Sequence, residues 1–343
     1  MASNNRVFYP CQDVGIAPFT NTSYTTVRGV GSISMNTKFN LEYIYELGQL
    51  ATYFIAEGIP EVELTLSRVL DGYAPAYTLL TQGAVASTLV GRSTARANMA
   101  LGIFADSNST ASGNQHQQCT LSGVYCSSVS YTFNTSGAFK ESVGIVGNNK
   151  IWSTGSFTYT GHTTAMGVTS LAPAAAEGVD VRKDFDMANS RWPTQIPGID
   201  VSGVNNAVAG SGYAAHIQQV SVSATLGREN LLELARKAPF FRFVNFPVAV
   251  TCNIEVLNTQ GDGINMSETG VLSYGNNLVS EHIFIKTAEG TQIDLGSNNK
   301  CVSINETGGD PDARGNSTIT YQYQNQSEMD VKHPADPTVA LRP

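Results

Sequence analysis

The stretch Ser32–Ser67, SISMNTKFNLEYIYELGQLATYFIAEGIPEVELTLS, decides the fold when set beside Ser221–Val256, SVSATLGRENLLELARKAPFFRFVNFPVAVTCNIEV. Both open on alternation: Ser32, Ile33, Ser34 and Met35 match Ser221, Val222, Ser223 and Ala224. A period of two sends successive side chains to opposite sheet faces, which marks a half-buried strand. A run at helical spacing follows in each. Asn40 offers a cap to a helix carrying Leu41, Ile44, Tyr45 and Leu47, and Gly48 is placed to end it. In the second stretch Asn230 precedes Leu231, Leu234, Ala235 and Ala238, and Pro239 stops the run for want of an N–H. Next come a strand containing aromatics (Leu50–Ile55; Phe240–Val244), a turn (Glu57-Gly58; Asn245-Phe246) and a proline (Pro60; Pro247). A second alternating strand closes each unit, on Val62, Leu64 and Leu66 and on Val248, Val250, Cys252 and Ile254. Strand, helix, strand, turn, proline and strand thus recur about 190 residues apart, the mark of an internal duplication.

Outside these stretches the parallel continues. Asn98–Ala105 and Glu281–Thr287 read as strands in comparable places, and Val124–Phe133 with Phe139–Val146 reads as a hairpin. Its counterpart is Cys301–Ile304 with Ser317–Tyr323. Residues 151–215, rich in Gly, Ala, Pro, Ser and Thr, read as a connector that packs on neighbours, with one strand at Ser156–Tyr159. The predicted fold is mainly β: two related β-sandwich or barrel domains, 1–150 and 216–343, each with a short flanking α-helix, joined by an irregular connector.

Composition narrows the function. Of 343 residues only 14% are charged, and the formal net charge is −8. Ordinary domains carry about 25% charged residues, so neighbouring copies covering much of the outside would explain the shortage. Lys/Arg and Asp/Glu number eight and nine in 1–150, three and five in 151–215, and nine and fourteen in 216–343. No basic stripe forms, which argues against a tight nucleic-acid binder. No apolar run approaches the roughly 18 residues of a membrane span, and the start MASNNR has no apolar core of a secretory signal. The five cysteines (Cys11, Cys119, Cys126, Cys252, Cys301) are too few and scattered for a disulfide framework and read as buried free thiols.

Chemistry-bearing patterns are weak, and the chain reads as a non-enzyme without cofactor or metal. His116-x-x-Cys119 with Cys126 is half a zinc site without a second half. Gly91-Arg92-Ser93-Thr94 lacks the upstream glycine and the lysine of a phosphate loop. Asp310-x-Asp312 is followed at the next alternate position by Arg314, which would repel calcium. Glu61 and Glu63 share a strand face, but neighbouring carboxylates on one face are commoner than glycosidase pairs.

The segments VRGVGSISMNTKFNLEYIYELGQL (27–50), IPEVELTLSRVLDGY (59–73) and LVGRSTARANMALGIF (89–104) resemble the tail tube proteins of tailed bacteriophages. The resemblance covers about a quarter of the chain and is one of pattern. It implies a small β-sandwich with a flanking helix, whose copies close their inner sheets into a barrel and stack as rings. Most members have one such domain, so a duplicated chain implies a trimeric, pseudo-hexameric ring, with a plain hexamer as the other possibility. It also implies a place in the virion tail after synthesis in the host cytoplasm, with tape-measure, sheath and terminator or baseplate proteins as partners. DNA would pass through without specific binding, and no membrane insertion is expected. Glu61, Glu63 and Glu255 are the candidates for the lumen wall, an exposed outer face being the alternative. Replacing all three with Lys would then spare the tube and slow DNA passage. Another ring protein (tail terminator, neck or decoration), a surface-filament subunit and a carbohydrate-binding β-sandwich remain alternatives. For the last, Trp152 and Trp192 are the only tryptophan handles.

Overall fold

Where polar and apolar residues alternate, the chain forms strands, and among the described residues strands account for nearly all regular structure. The computed structural model describes residues 7, 12–20, 23–84, 86–104, 115–154, 159–160, 185–186, 189–196, 216–235, 239–258, 278–308 and 316–334. In chain order the elements begin with β1 (Gln12–Pro18), β2 (Tyr24–Thr26), β3 (Val30–Lys38), β4 (Leu41–Ile44), β5 (Phe54–Glu57) and β6 (Glu61–Val69). Helices α1 (Ala76–Leu80) and α2 (Leu89–Arg92) follow. Then come β7 (Ala97–Ile103), β8 (Gln117–Asn134), β9 (Lys140–Gly147), β10 (Ile151–Ser153) and β11 (Tyr159–Thr160). The second half holds β12 (Ile217–Thr225), β13 (Arg228–Leu231), β14 (Phe241–Val244), β15 (Ala249–Leu257), β16 (Phe284–Lys286) and β17 (Gln292–Asp294). It closes with β18 (Lys300–Thr307), β19 (Thr318–Gln326) and β20 (Asp330–Lys332).

Eight strands lie side by side in the order β3-β6-β9-β8-β12-β15-β19-β18, each antiparallel to its neighbours. The first four come from the first half and the last four from the second. Both sets run in the same order, with β12, β15, β19 and β18 standing for β3, β6, β9 and β8. The joint between the sets is β8 on β12.

A second layer covers one face of this sheet. β8 is 18 residues long and belongs to both layers: its first part pairs with β7 and β10, its last part with β9 and β12. Gly123, at φ +66°, stands where β8 turns from one layer to the other, a conformation side chains resist. A little further on, a Cβ at Gly144 of β9 would come within 2.3 Å of the Ser128 hydroxyl beside the bulge of β8. From β7 the layer continues through β1 and β2 to β11. Over the second set lies a small sheet, β16-β17-β20. Between the layers one apolar core runs unbroken through both halves, from Leu66, Tyr131 and Phe133 to Val222, Ile254, Tyr321 and Ile293. Each such side chain contributes about 1.5–3 kcal/mol on burial.

The fold is mainly β, as expected, but among the described residues the sheet does not close into a barrel. The two expected helices are not helices. Leu41–Ile44 pairs with Phe54–Glu57 as a hairpin, and Arg228–Leu231 pairs with Phe241–Val244 as another; Ala238 lies outside the described residues. Gly48, with φ +94°, sits in the bend at the tip of the first hairpin. The helices that do form, α1 and α2, both follow β6 in the first half, so neither half carries the expected one. The expected strand Leu50–Ile55 shifts to Phe54–Glu57, and that at 281–287 shortens to Phe284–Lys286. Those at 62–66, 240–244 and 248–254 and both paired hairpins appear in place, and the one at 98–105 appears as Ala97–Ile103, with Ala105 outside the described residues. Of the expected strand Ser156–Tyr159, all but Tyr159 lies outside the described residues. The described parts of the connector pack within the chain: β10 pairs with β8, and Trp192 and Ile196 are buried in the core.

Candidate functional site

An antiparallel strand with one neighbour leaves a row of N–H and C=O groups unpaired, ready to take another strand. β3 and β18 are in this position at the two ends of the eight-stranded sheet: among the described residues β3 pairs only with β6, and β18 only with β19. Ile33 and Met35 on β3 and Ile304 on β18 are half-buried against the core. The apolar face therefore runs out to both edges and stops there incompletely covered. β3 is nine residues long and carries its one lysine, Lys38, at its end. β18 has Lys300 at its start and a bulge between Cys301 and Ser303.

The face opposite the core is polar. Across the middle of the sheet it presents rows such as Ser34, Thr65, Gly144 and Ser128, or Ser130, Ser223, Thr251 and Gln324. Glu61, Glu63 and Glu255 all lie on this face, half-buried. Lys38, Lys140 and Lys300 share it, so hydroxyl and amide groups dominate and the charges are of both signs. Glu63 Oε1 accepts a hydrogen bond of 2.7 Å from Lys38 Nζ, and that bond raises the ammonium pKa. Glu61 Oε1 accepts one of 2.9 Å from Arg242 Nη1. The two carboxylates are thus held by different cations rather than facing each other as an acid and a base.

Two hairpin arms leave the sheet at corresponding places. The arm β13–β14 is docked at its base on the first half. Arg228 donates through Nε and Nη2 to the Cys126 carbonyl at 2.8 and 2.6 Å, and its guanidinium lies 4.7 Å from the centre of the Tyr125 ring. Arg242, 3% exposed, adds Asn148 Oδ1 at 3.0 Å to its bond with Glu61. The Phe241 ring meets Tyr125 edge-on at 5.8 Å. The arm β4–β5 is exposed along its length: Leu41, Tyr43, Ile44, Tyr45, Phe54 and Ile55 all face solvent, and Leu47 and Leu50 at its tip are fully exposed. Contiguous exposed apolar side chains of this kind are rare on the surface of a lone soluble subunit.

Sequence reading missed the buried charges. Arg68 and Glu141 are register partners on β6 and β9 and point into the core. Arg68 donates to the Ala74 carbonyl at 2.5 Å and to Asp71 Oδ1 at 2.7 Å. Glu141 accepts from the N–H groups of Ala76 and Tyr77 at 2.7 and 3.0 Å and from the Tyr131 hydroxyl at 3.1 Å. Burial pushes its carboxyl pKa up, against the opposing pull of Arg68 and these donors. Arg92, equally buried, donates to Thr81 Oγ1 at 2.9 Å and to the Ser87 carbonyl at 3.1 Å. Arg68 and Glu141 thus fasten residues 71–77 to the sheet, while Arg92 ties α2 to the end of α1. The signal was present: Arg68 follows Val62, Leu64 and Leu66 on the apolar phase of β6, and Glu141 precedes Val143 and Ile145 on that of β9.

Cys119, Cys126, Cys252 and Cys301 are free and buried, and burial pushes the thiols of Cys126 and Cys252 up to about 12. Cys11 lies outside the described residues, as do Asp310, Asp312 and Arg314. Among the described residues no three His, Cys, Asp or Glu side chains gather as a metal site, and no helix is long and apolar enough to cross a membrane. Gly91 and Arg92 end α2, with the Arg92 side chain turned into the protein. Trp152 is exposed and Trp192 buried, so they form no shared platform.

No protein-family model matches the chain, and no curated protein matches it. Among solved structures it is similar to a cryo-EM structure of the anti-feeding prophage cap, which terminates that particle's tube, at 11% identity and a TM-score of 0.33. The match covers 45% of this chain and 95% of the cap chain. A chain in the six-fold symmetrised baseplate of the same particle is similar at 10% identity and a TM-score of 0.33, over 44% of this chain and 97% of its own.

Proposed function

We propose that the chain is a structural subunit and not an enzyme, and that its copies join into rings which stack as a viral tail tube, the conduit for genome delivery. One observation carries this reading: an open eight-stranded sheet made of two four-strand sets in the same order, ending in two edges, β3 and β18, that have no second neighbour among the described residues. Two open edges are ready templates for pairing with another chain, and rotation that returns to its start covers both with copies of the same chain. Three chains would bring six four-strand sets to the ring. The polar face fits the inside of such a ring. A wall of hydroxyl and amide groups with balanced charge gives DNA phosphates no cation cluster to bind, so the polymer can slide. The exposed arm fits contact between subunits or between rings.

Negative-stain electron microscopy of the purified full chain tests this. Tubes of constant diameter, or stacked rings, are the expected result. Isolated single rings would favour a terminator or neck protein, and a monomer at every concentration tried would overturn the reading.

A further inference from the structure

The chain already contains one joint between four-strand sets, and that joint can be carried onto the open edges row by row. In it, Val222 of β12 faces Tyr131 of β8, and Ser223 faces Ser130. Strand pairings fix which residues correspond in the two sets. Ile33 faces Leu66 as Val222 faces Cys252. Leu66 faces Val143 as Cys252 faces Tyr323, and Val143 faces Val129 as Tyr323 faces Cys301. Ile33 on β3 therefore takes the place of Val222, and Ser34 that of Ser223. One and two rows beyond Val129 and Cys301, Ser130 corresponds to Ser303 and Tyr131 to Ile304, the extra residue Val302 falling in the β18 bulge.

We infer that β18 of one chain pairs antiparallel with β3 of the next in the register of the internal joint, Ile33 opposite Ile304 and Ser34 opposite Ser303. This deepens the ring reading above and rests on it. The register completes the core at these edges: Ile33, Met35 and Ile304, half-buried residues of the two edges, meet on the apolar side. Ser34 and Ser303, both exposed, meet on the polar side as Ser223 and Ser130 do within the chain. A slip by one residue would put Ile33 on the face opposite Ile304, so the alternation enforces the pairing.

The same correspondence seats the free arm. β4–β5 leaves β3 as β13–β14 leaves β12, so it lands on the second half of the neighbour near the Lys300 end of β18. Arg228 and Arg242, which grip the first half within the chain, correspond to Leu41 and Ile55. The contact between chains is therefore apolar where the internal one is ionic. An apolar partner is present at that end of β18, where Val302 is 57% exposed.

Cysteine cross-linking tests the register. Facing residues of antiparallel neighbours have Cα atoms about 4.5–5.5 Å apart, within the span of a disulfide. The double variant Ser34→Cys with Ser303→Cys, assembled and then mildly oxidised, is expected to run as a ladder of linked chains that ends in a closed ring species. Either single variant should stay unlinked. Ser130→Cys with Ser223→Cys is the internal control and should link within one chain. As a readout free of cysteine, amide exchange of β3 and β18 should slow on assembly to the rate of β8 and β12. Assemblies seen by microscopy in which the 34–303 pair stays unlinked and the β3 amides stay fast would overturn the joint while leaving the ring standing. Preferential linking of Ser32→Cys with Ser303→Cys would overturn the register, and a chain that never assembles would overturn joint and ring together.

Discussion

Glu141 is a buried charge that ties together three parts of the first half. Its carboxylate satisfies two backbone N–H groups at the start of α1 and the Tyr131 hydroxyl, opposite the buried Arg68. Removing one member of such a cluster leaves the others buried without compensation, a loss of about 3–5 kcal/mol. Glu141→Ala should lower the unfolding free energy of the unassembled chain, read from urea titrations, by that much, and Glu141→Gln, which keeps an acceptor oxygen, by less. A second buried carboxylate makes stability depend on pH. Burial raises the Glu289 pKa, but His333 at 3.4 Å and the hydroxyl of Thr287 outweigh it, so the group titrates below its ordinary 4.5. A carboxyl lowered in the folded state stabilises fully above its unfolded value and loses that contribution as pH falls through the folded one. Glu289→Gln should therefore melt earlier than the wild type at pH 7, and the gap should narrow as pH falls below 4.5 and close once it has passed the lower folded-state value. A gap that persists in acid would show that packing, not charge, sets the difference.

At the scale of elements, the arms separate what the sequence could say from what it could not. The strands of the eight-stranded sheet were legible because one face is apolar and the other polar, so burial is written into the alternation of Val62, Leu64 and Leu66 or Val250, Cys252 and Ile254. The arms have no such contrast. Leu41, Tyr43, Ile44 and Tyr45 place apolar groups on both faces of a hairpin that the chain itself does not bury. With no polar face the period of two disappears, and chance spacing reads as a helix. The buried Arg68–Glu141 pair was hidden for the opposite reason: charged residues are ordinarily read as surface, and only the strand register puts the two opposite each other. Arg242→Ala should loosen the docked arm, still held by Arg228, by removing bonds to Glu61 and Asn148, a charged contact of about 2 kcal/mol. Faster amide exchange confined to residues 228–244 is the expected readout. On the other arm, Tyr43→Ser with Ile55→Ser should leave melting unchanged, since neither side chain is buried, yet abolish tubes in electron micrographs.

For the whole molecule, the proposed tube predicts that one face of the sheet meets DNA, and charge offers the means to test which. Glu61 is a poor probe, because it anchors the docked arm through Arg242 and its loss would disturb assembly as well as charge. Glu63 and Glu255 are better placed: both lie on the polar face, and the Glu63 partner, Lys38, is exposed. Glu63→Lys with Glu255→Lys adds cations at positions far apart on that face, and ring symmetry would repeat them around the wall and along the tube. If the face lines the lumen, variant tubes should form normally and hold linear duplex DNA in a salt-dependent way that wild-type tubes do not. The logarithm of the binding constant should fall with the logarithm of salt by about 0.9 for each phosphate neutralised. Capping the tube ends should remove the binding, because the added lysines would then be out of reach. Equal binding to capped and open tubes would instead put the polar face on the outside, and the ring would have to close with its sheet turned the other way.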